Sequence, residues 1–134
     1  MFCRLYNTFR KGILFRRENI KMGIADNKYI DLASGLLRVA KNEALYKKLI
    51  AKFETSIDIS AFDAAYNACD YVKLGEIVHA AKGIAGNLSL TAFYYNSVIL
   101  MEQLRGGGAP EQTTVDVFRH MYDETVRAIN EYLS

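Results

Sequence analysis

Residues 71–88 read Tyr-Val-Lys-Leu-Gly-Glu-Ile-Val-His-Ala-Ala-Lys-Gly-Ile-Ala-Gly-Asn-Leu. On a wheel turning about 100° per residue, Leu74, Ile77, Val78, Ala81, Ile84, Ala85 and Leu88 fall within one arc, which predicts a helix with a single buried face. Asp70, just ahead of the stretch, is a residue type that caps a helix N-terminus. His79 lies about 160° from the middle of the apolar arc and is therefore expected in solvent. Around it on the outer face stand Gly75, Lys82, Gly83 and Gly86, with Val72 and Glu76 a turn below.

Helical periodicity extends outward in both directions. Upstream, Asp31 is placed to cap a short helix through about Val39, with Leu32, Leu36 and Leu37 on one side. A second pattern opens near Asn42, where Tyr46, Leu49, Ile50, Phe53 and Ile57 recur at three and four. It extends through Ala61, Ala64, Ala65 and Ala68 as one long helix bent near Thr55-Ser56, where β-branched and short polar residues weaken it. Downstream, Thr91 starts a helix with Phe93, Ser97, Leu100 and Leu104 inward, closed by Gly106-Gly107-Gly108. Pro110 fits the first turn of a last helix that aligns Phe118, Tyr122, Thr125, Ile129 and Tyr132. The expected fold is all-α: an antiparallel four-helix bundle (up-down-up-down) with a short additional N-terminal helix, over residues 27–134.

With 134 residues, 51% of them apolar, the chain can build one continuous core without staples. One proline and two cysteines exclude a collagen and a disulfide scaffold. Cys3 and Cys69 show no metal-ligand spacing and read as two reduced thiols of a cytoplasmic protein. No apolar run is long enough to span a bilayer. The net charge of +2 conceals segregation: residues 1–21 hold Arg4, Arg10, Lys11, Arg16, Arg17 and Lys21 against Glu18 alone, and the remainder is acidic. An acidic body does not seek nucleic acid by charge. Residues 1–26 read as a basic, poorly ordered extension. Their composition also fits a transit peptide, a membrane-surface arm, or a leader from an upstream start codon ahead of Met22-Gly23.

Three glycines between positions 75 and 86 cost about 2–3 kcal/mol of helix propensity relative to alanine. A solvated face gains nothing from them, but they bare the backbone beside an imidazole so that another macromolecule can approach. A neutral imidazole is a good nucleophile near pH 7 and can accept a phosphoryl group. Lys82, at i+3, can offset the charge that arrives.

The segment His79-Ala-Ala-Lys82-Gly83-Ile-Ala-Gly86-Asn87-Leu88 closely resembles the motif of histidine-containing phosphotransfer (HPt) domains, H-x-L-K-G followed by a small-residue, Asn-Leu-Gly stretch. The resemblance covers roughly residues 27–133. It departs from that pattern at Ala81, where a larger apolar residue is usual, at Ser89, where glycine is common, and at Gly75-Glu76, where basic residues are frequent. The resemblance implies a phosphorelay intermediate in two-component signalling, a phosphocarrier without ATP-dependent kinase activity. His79 would be the phosphoacceptor and Lys82 the charge-stabilising residue. Val72, Gly75, Glu76, Gly83 and Gly86 would form the docking surface. The implied partners are response-regulator receiver domains and a hybrid sensor histidine kinase. No cofactor or metal of its own is implied, Mg²⁺ belonging to the receiver. An exposed transfer face favours a monomer.

Two other classes fit parts of the same pattern. A helical adaptor that binds a receiver or kinase without being phosphorylated shares the bundle, although it has no use for an intact His79 and Lys82. A membrane-associated protein guided by residues 1–21 is the third. His120 has no comparable surroundings and reads as a surface or structural residue. No Gly-rich phosphate loop appears, and no Glu-x-x-His ligand set accompanies the two histidines.

Overall fold

Four short polar side chains start four of the helices. Asp31 accepts the Ser34 N–H at 3.2 Å and opens α1 (Leu32–Arg38). Asn42 accepts from Leu45 at 3.1 Å and opens α2 (Glu43–Ala51). A single turn, α3 (Phe53–Ser56), follows. Asp58 accepts from Ala61 at 2.9 Å ahead of α4 (Ile59–Asn67), and Asp70 from Lys73 at 3.2 Å ahead of α5 (Tyr71–Asn87). Each bond satisfies an N–H that the first helical turn leaves open. The chain continues through α6 (Thr91–Leu104) and α7 (Gln112–Leu133). This computed structural model describes residues 29–134, and no strand occurs among them. The protein is all-α there. The basic extension and Cys3 lie outside the described residues.

Helix α5 packs along α4 and α6, α6 along α7, and α7 against α2. The core is aromatic. The Phe93 ring on α6 meets Phe53 edge-on at 5.3 Å, Phe118 at 4.9 Å and Tyr122 at 6.2 Å, while Phe62 stacks on Phe118 at 4.8 Å. One ring network thus joins α3, α4, α6 and α7. Tyr122 donates its hydroxyl to the Glu54 carbonyl at 3.0 Å, and Arg119 on α7 pairs with Asp63 on α4.

Three expectations change in detail. The long second helix is interrupted: Ile57 is extended (φ −115°, ψ 117°) and buried, and Asp58 restarts the helix as its cap. Burying Ile57 and capping with Asp58 outweigh helical continuity, so a bend near Thr55-Ser56 becomes a break. In α1 the residue pressed inward is Gly35, whereas Leu32 and Leu37 are exposed. A Cβ at position 35 would fall 2.6 Å from Tyr46 Cε1, so only glycine lets α1 lie on that ring. Tyr46 cannot yield, because its hydroxyl donates to the Leu88 carbonyl at 2.6 Å, and burial pushes its pKa up to about 12. Pro110 stands ahead of the last helix and outside its first turn. The turn is organised by Gln103, whose Oε1 accepts the Glu111 N–H at 2.9 Å and whose Nε2 donates to Thr114 Oγ1 at 2.7 Å.

Helices α1, α4 and α5 all end the same way. The N–H two residues past the cap returns to the carbonyl five residues back: Lys41 to Leu36, Asp70 to Ala65, and Leu90 to Ala85. The residue between is left-handed in each: Ala40 (φ 54°), Cys69 (φ 55°) and Ser89 (φ 57°). Glycine is the usual occupant of this position, since a Cβ is disfavoured there. Ser89 therefore stands where the geometry prefers glycine. Cys69 is exposed and has no disulfide partner among the described residues. Cys69→Gly is expected to raise stability by about 0.5–1 kcal/mol, read as a higher urea midpoint with unchanged slope.

Candidate functional site

The outer face of α5 is built by what it lacks. Its inner face buries Leu74, Val78, Ala81 and Ala85, and Leu88 closes the helix from below. That burial fixes the rotation of the helix, and rotation alone carries His79 out. His79 is exposed, Lys82 is half-buried one turn on, and Glu76 is exposed one turn back. The long aliphatic stem of Lys82 can lie along the helix surface while its ammonium stays wet. Neither Lys82 nor Glu76 forms an ion pair among the described residues, so the cation is uncommitted. Val72, at the foot of the face, is 75% exposed, which is unusual for a valine on a packed helix.

The three glycines part company here. A Cβ added at Gly75 or Gly83 would meet nothing within 4 Å, and neither residue has a positive φ. Nothing among the described residues requires glycine at either place, yet each lowers helix propensity by about 1 kcal/mol against alanine. Gly86 differs. A Cβ there would come within 3.3 Å of Tyr94 Cε2, so this glycine seats the Tyr94 ring from α6. Packing accounts for Gly86, and the bare backbone beside His79 is the work of Gly75 and Gly83. The sequence pattern did not reveal Tyr94, because its contact with Gly86 joins two helices.

At the start of α5 the Tyr71 phenol is raised above its ordinary pKa, chiefly by a hydrogen bond with the Cys69 side chain. It stays neutral at physiological pH and adds no charge to the face. His120, on α7, is exposed. Among the described residues no group of three or more His, Cys, Asp or Glu is placed to hold a metal ion, and no helix is long and apolar enough to cross a membrane. The chemistry available on α5 is therefore that of one wet nucleophilic nitrogen, one nearby cation and an open approach.

If Gly75 and Gly83 serve an approaching macromolecule, their replacement should separate stability from function. Gly75→Ala with Gly83→Ala is expected to stabilise the chain by about 1–2 kcal/mol, seen as a raised melting temperature. Docking of a macromolecule on this face should weaken at the same time. Unchanged docking by the stabilised variant would show that the bare backbone has no such purpose.

No protein-family model, curated protein or solved structure matches this chain. A helical fold hosts many unrelated activities, so the fold by itself assigns none.

Proposed function

We infer that this chain is a phosphorelay intermediate of the histidine-containing phosphotransfer kind, with α5, α6 and α7 and the broken helix α2–α4 forming an antiparallel four-helix bundle and α1 as the short leading helix. His79 accepts a phosphoryl group from the aspartyl phosphate of a receiver domain and passes it to another receiver. The observation that carries this reading is an exposed imidazole with a lysine one turn on, beside two helical glycines that no contact among the described residues explains.

In the transfer step the Nε2 lone pair attacks phosphorus in line with the aspartyl oxygen. A P–N bond forms, the P–O bond breaks, and the aspartate carboxylate leaves with the electron pair while Nδ1 keeps its proton. Lys82 balances charge on the arriving phosphoryl oxygens. Gly75 and Gly83 let the receiver bring its phosphate within bonding reach, which supplies most of what this chain contributes. The metal-assisted chemistry belongs to the receiver and its Mg²⁺. Acyl phosphate and phosphohistidine are both energy-rich, so the step is reversible and runs with the relative amounts of the two receivers. Glu76 repels an incoming phosphoryl group only modestly at a solvated site and tunes which receiver docks. The setting is the cytoplasm, and the carrier acts as a monomer.

The test is incubation of the full chain with a phosphorylated receiver domain. The expected product is a phosphoryl group on this chain that is lost in acid and kept in base, as phosphohistidine is. Binding of the receiver without labelling would favour the adaptor reading instead.

A further inference from the structure

Charge in the described part of the chain is unevenly placed. Residues 31–52, which span α1 with its cap and α2, hold five bases (Arg38, Lys41, Lys47, Lys48, Lys52) and two acids, Asp31 and Glu43, whereas residues 53–134 hold five bases and eleven acids. Lys47 is engaged, pairing with Glu43 at 3.7 Å and lying over the Tyr132 ring. The other four bases form no ion pair among the described residues. The same two helices carry four of the exposed large apolar side chains, including Leu37 at 67%, Leu45 at 42% and Leu49 at 36%.

Four of these side chains share a face on α2. Tyr46 and Ile50 are buried. By helical geometry Lys48, Lys52, Leu45 and Leu49 occupy an arc of about 100° turned away from them. Such a surface holds wet leucines bordered by uncommitted lysines. Protein interfaces are enriched in Tyr, Trp and Arg and depleted in Lys. Leucine with lysine is instead the composition of helices that lie in the headgroup region of a bilayer. Exposed bases with the opposite sign to the acidic remainder also fix which end would face an anionic surface. The basic residues 1–21 continue the same charge in sequence.

We propose that the outer face of α2 is a docking surface for an anionic lipid bilayer, holding the chain at a membrane surface with its α5 face on a separate element. Leu45 and Leu49 enter the headgroup boundary and Lys48 and Lys52 meet the anionic lipids, each base strengthening binding about fivefold.

The test is co-sedimentation of the full-length chain with vesicles of phosphatidylserine in phosphatidylcholine and with phosphatidylcholine alone. The chain should pellet with the first and stay in solution with the second, and high salt should weaken the binding. Two variants keep the basic head intact: Lys48→Gln with Lys52→Gln, expected to lower partitioning about 25-fold, and Leu45→Gln with Leu49→Gln, expected to lower it at least about tenfold. All four positions are exposed, and unchanged melting temperatures confirm the fold. Equal binding by variants and parent would assign the membrane contact to residues 1–21 and overturn the proposal. So would the lack of a preference for phosphatidylserine. Lipid-free self-association that the lysine variant abolishes would give the face to a second copy of the chain and overturn it equally.

Discussion

His79→Gln should carry no acid-labile, base-stable phosphoryl group after incubation with a phosphorylated receiver, while melting at the temperature of the parent chain. Glutamine keeps a polar side chain of similar reach but has no nucleophilic nitrogen lone pair, so the loss is complete and not a slowing. The fold should not notice, because an exposed position away from caps and core is worth only about 0.5 kcal/mol either way. His120→Gln is the internal control, since that ring is also exposed and has no glycine-cleared surroundings. Label retained on His79→Gln and lost on His120→Gln would move the acceptor to α7 and discard the α5 reading. Lys82→Ala should leave labelling present but slower by about 10- to 100-fold, the range of a charge-assisted hydrogen bond lost from the transfer.

Phe93→Ala is expected to cost about 3–5 kcal/mol. The ring is fully buried and contacts Phe53, Phe118 and Tyr122, which come from α3 and α7. Truncation removes one ring's transfer energy and leaves a void that three other rings can fill only by giving up their own edge and tilted contacts. Against a total stability of about 5–15 kcal/mol, the loss is a large fraction. Chemical denaturation should show a much lower midpoint, and the melting temperature should fall by more than about 12 °C. Phe93→Leu, which keeps most of the volume, should cost less than about 1.5 kcal/mol. A loss below 1 kcal/mol for the alanine variant would mean that the aromatic network does not hold these helices together.

Much of the helix map was legible because its causes are local. Asp31, Asn42 and Asp70 each bond an N–H three residues on, and both partners lie in one short window of sequence, whereas the cap at Asp58 is hidden by the apolar spacing that runs through it. The apolar arc of α5 is likewise a matter of spacing at three and four, and the exposure of His79 follows from it. The break at Ile57 was less legible. Its alternation with Phe53 continues a helical pattern, and only the depth of its burial shows that the chain leaves the helix to place it. Leu36 packs on the core, but Leu32 and Leu37 misled for a related reason. Their spacing is helical, yet the neighbour that selects the inward side is Tyr46, whose position is set by the Leu88 carbonyl 42 residues away.

The residues themselves determined where α1, α2, α5 and α6 begin, which face of α5 is apolar, and that an imidazole and a lysine share its outer face, because hydrogen bonds and side-chain periodicity within one helix need no distant partner. Tertiary structure decided which glycines are spoken for. Gly35 admits Tyr46 and Gly86 admits Tyr94, whereas Gly75 and Gly83 face open space. Sequence alone cannot separate a glycine that makes room for a neighbour from one that makes room for a visitor, since the difference lies in atoms brought near by the packing of one helix on another.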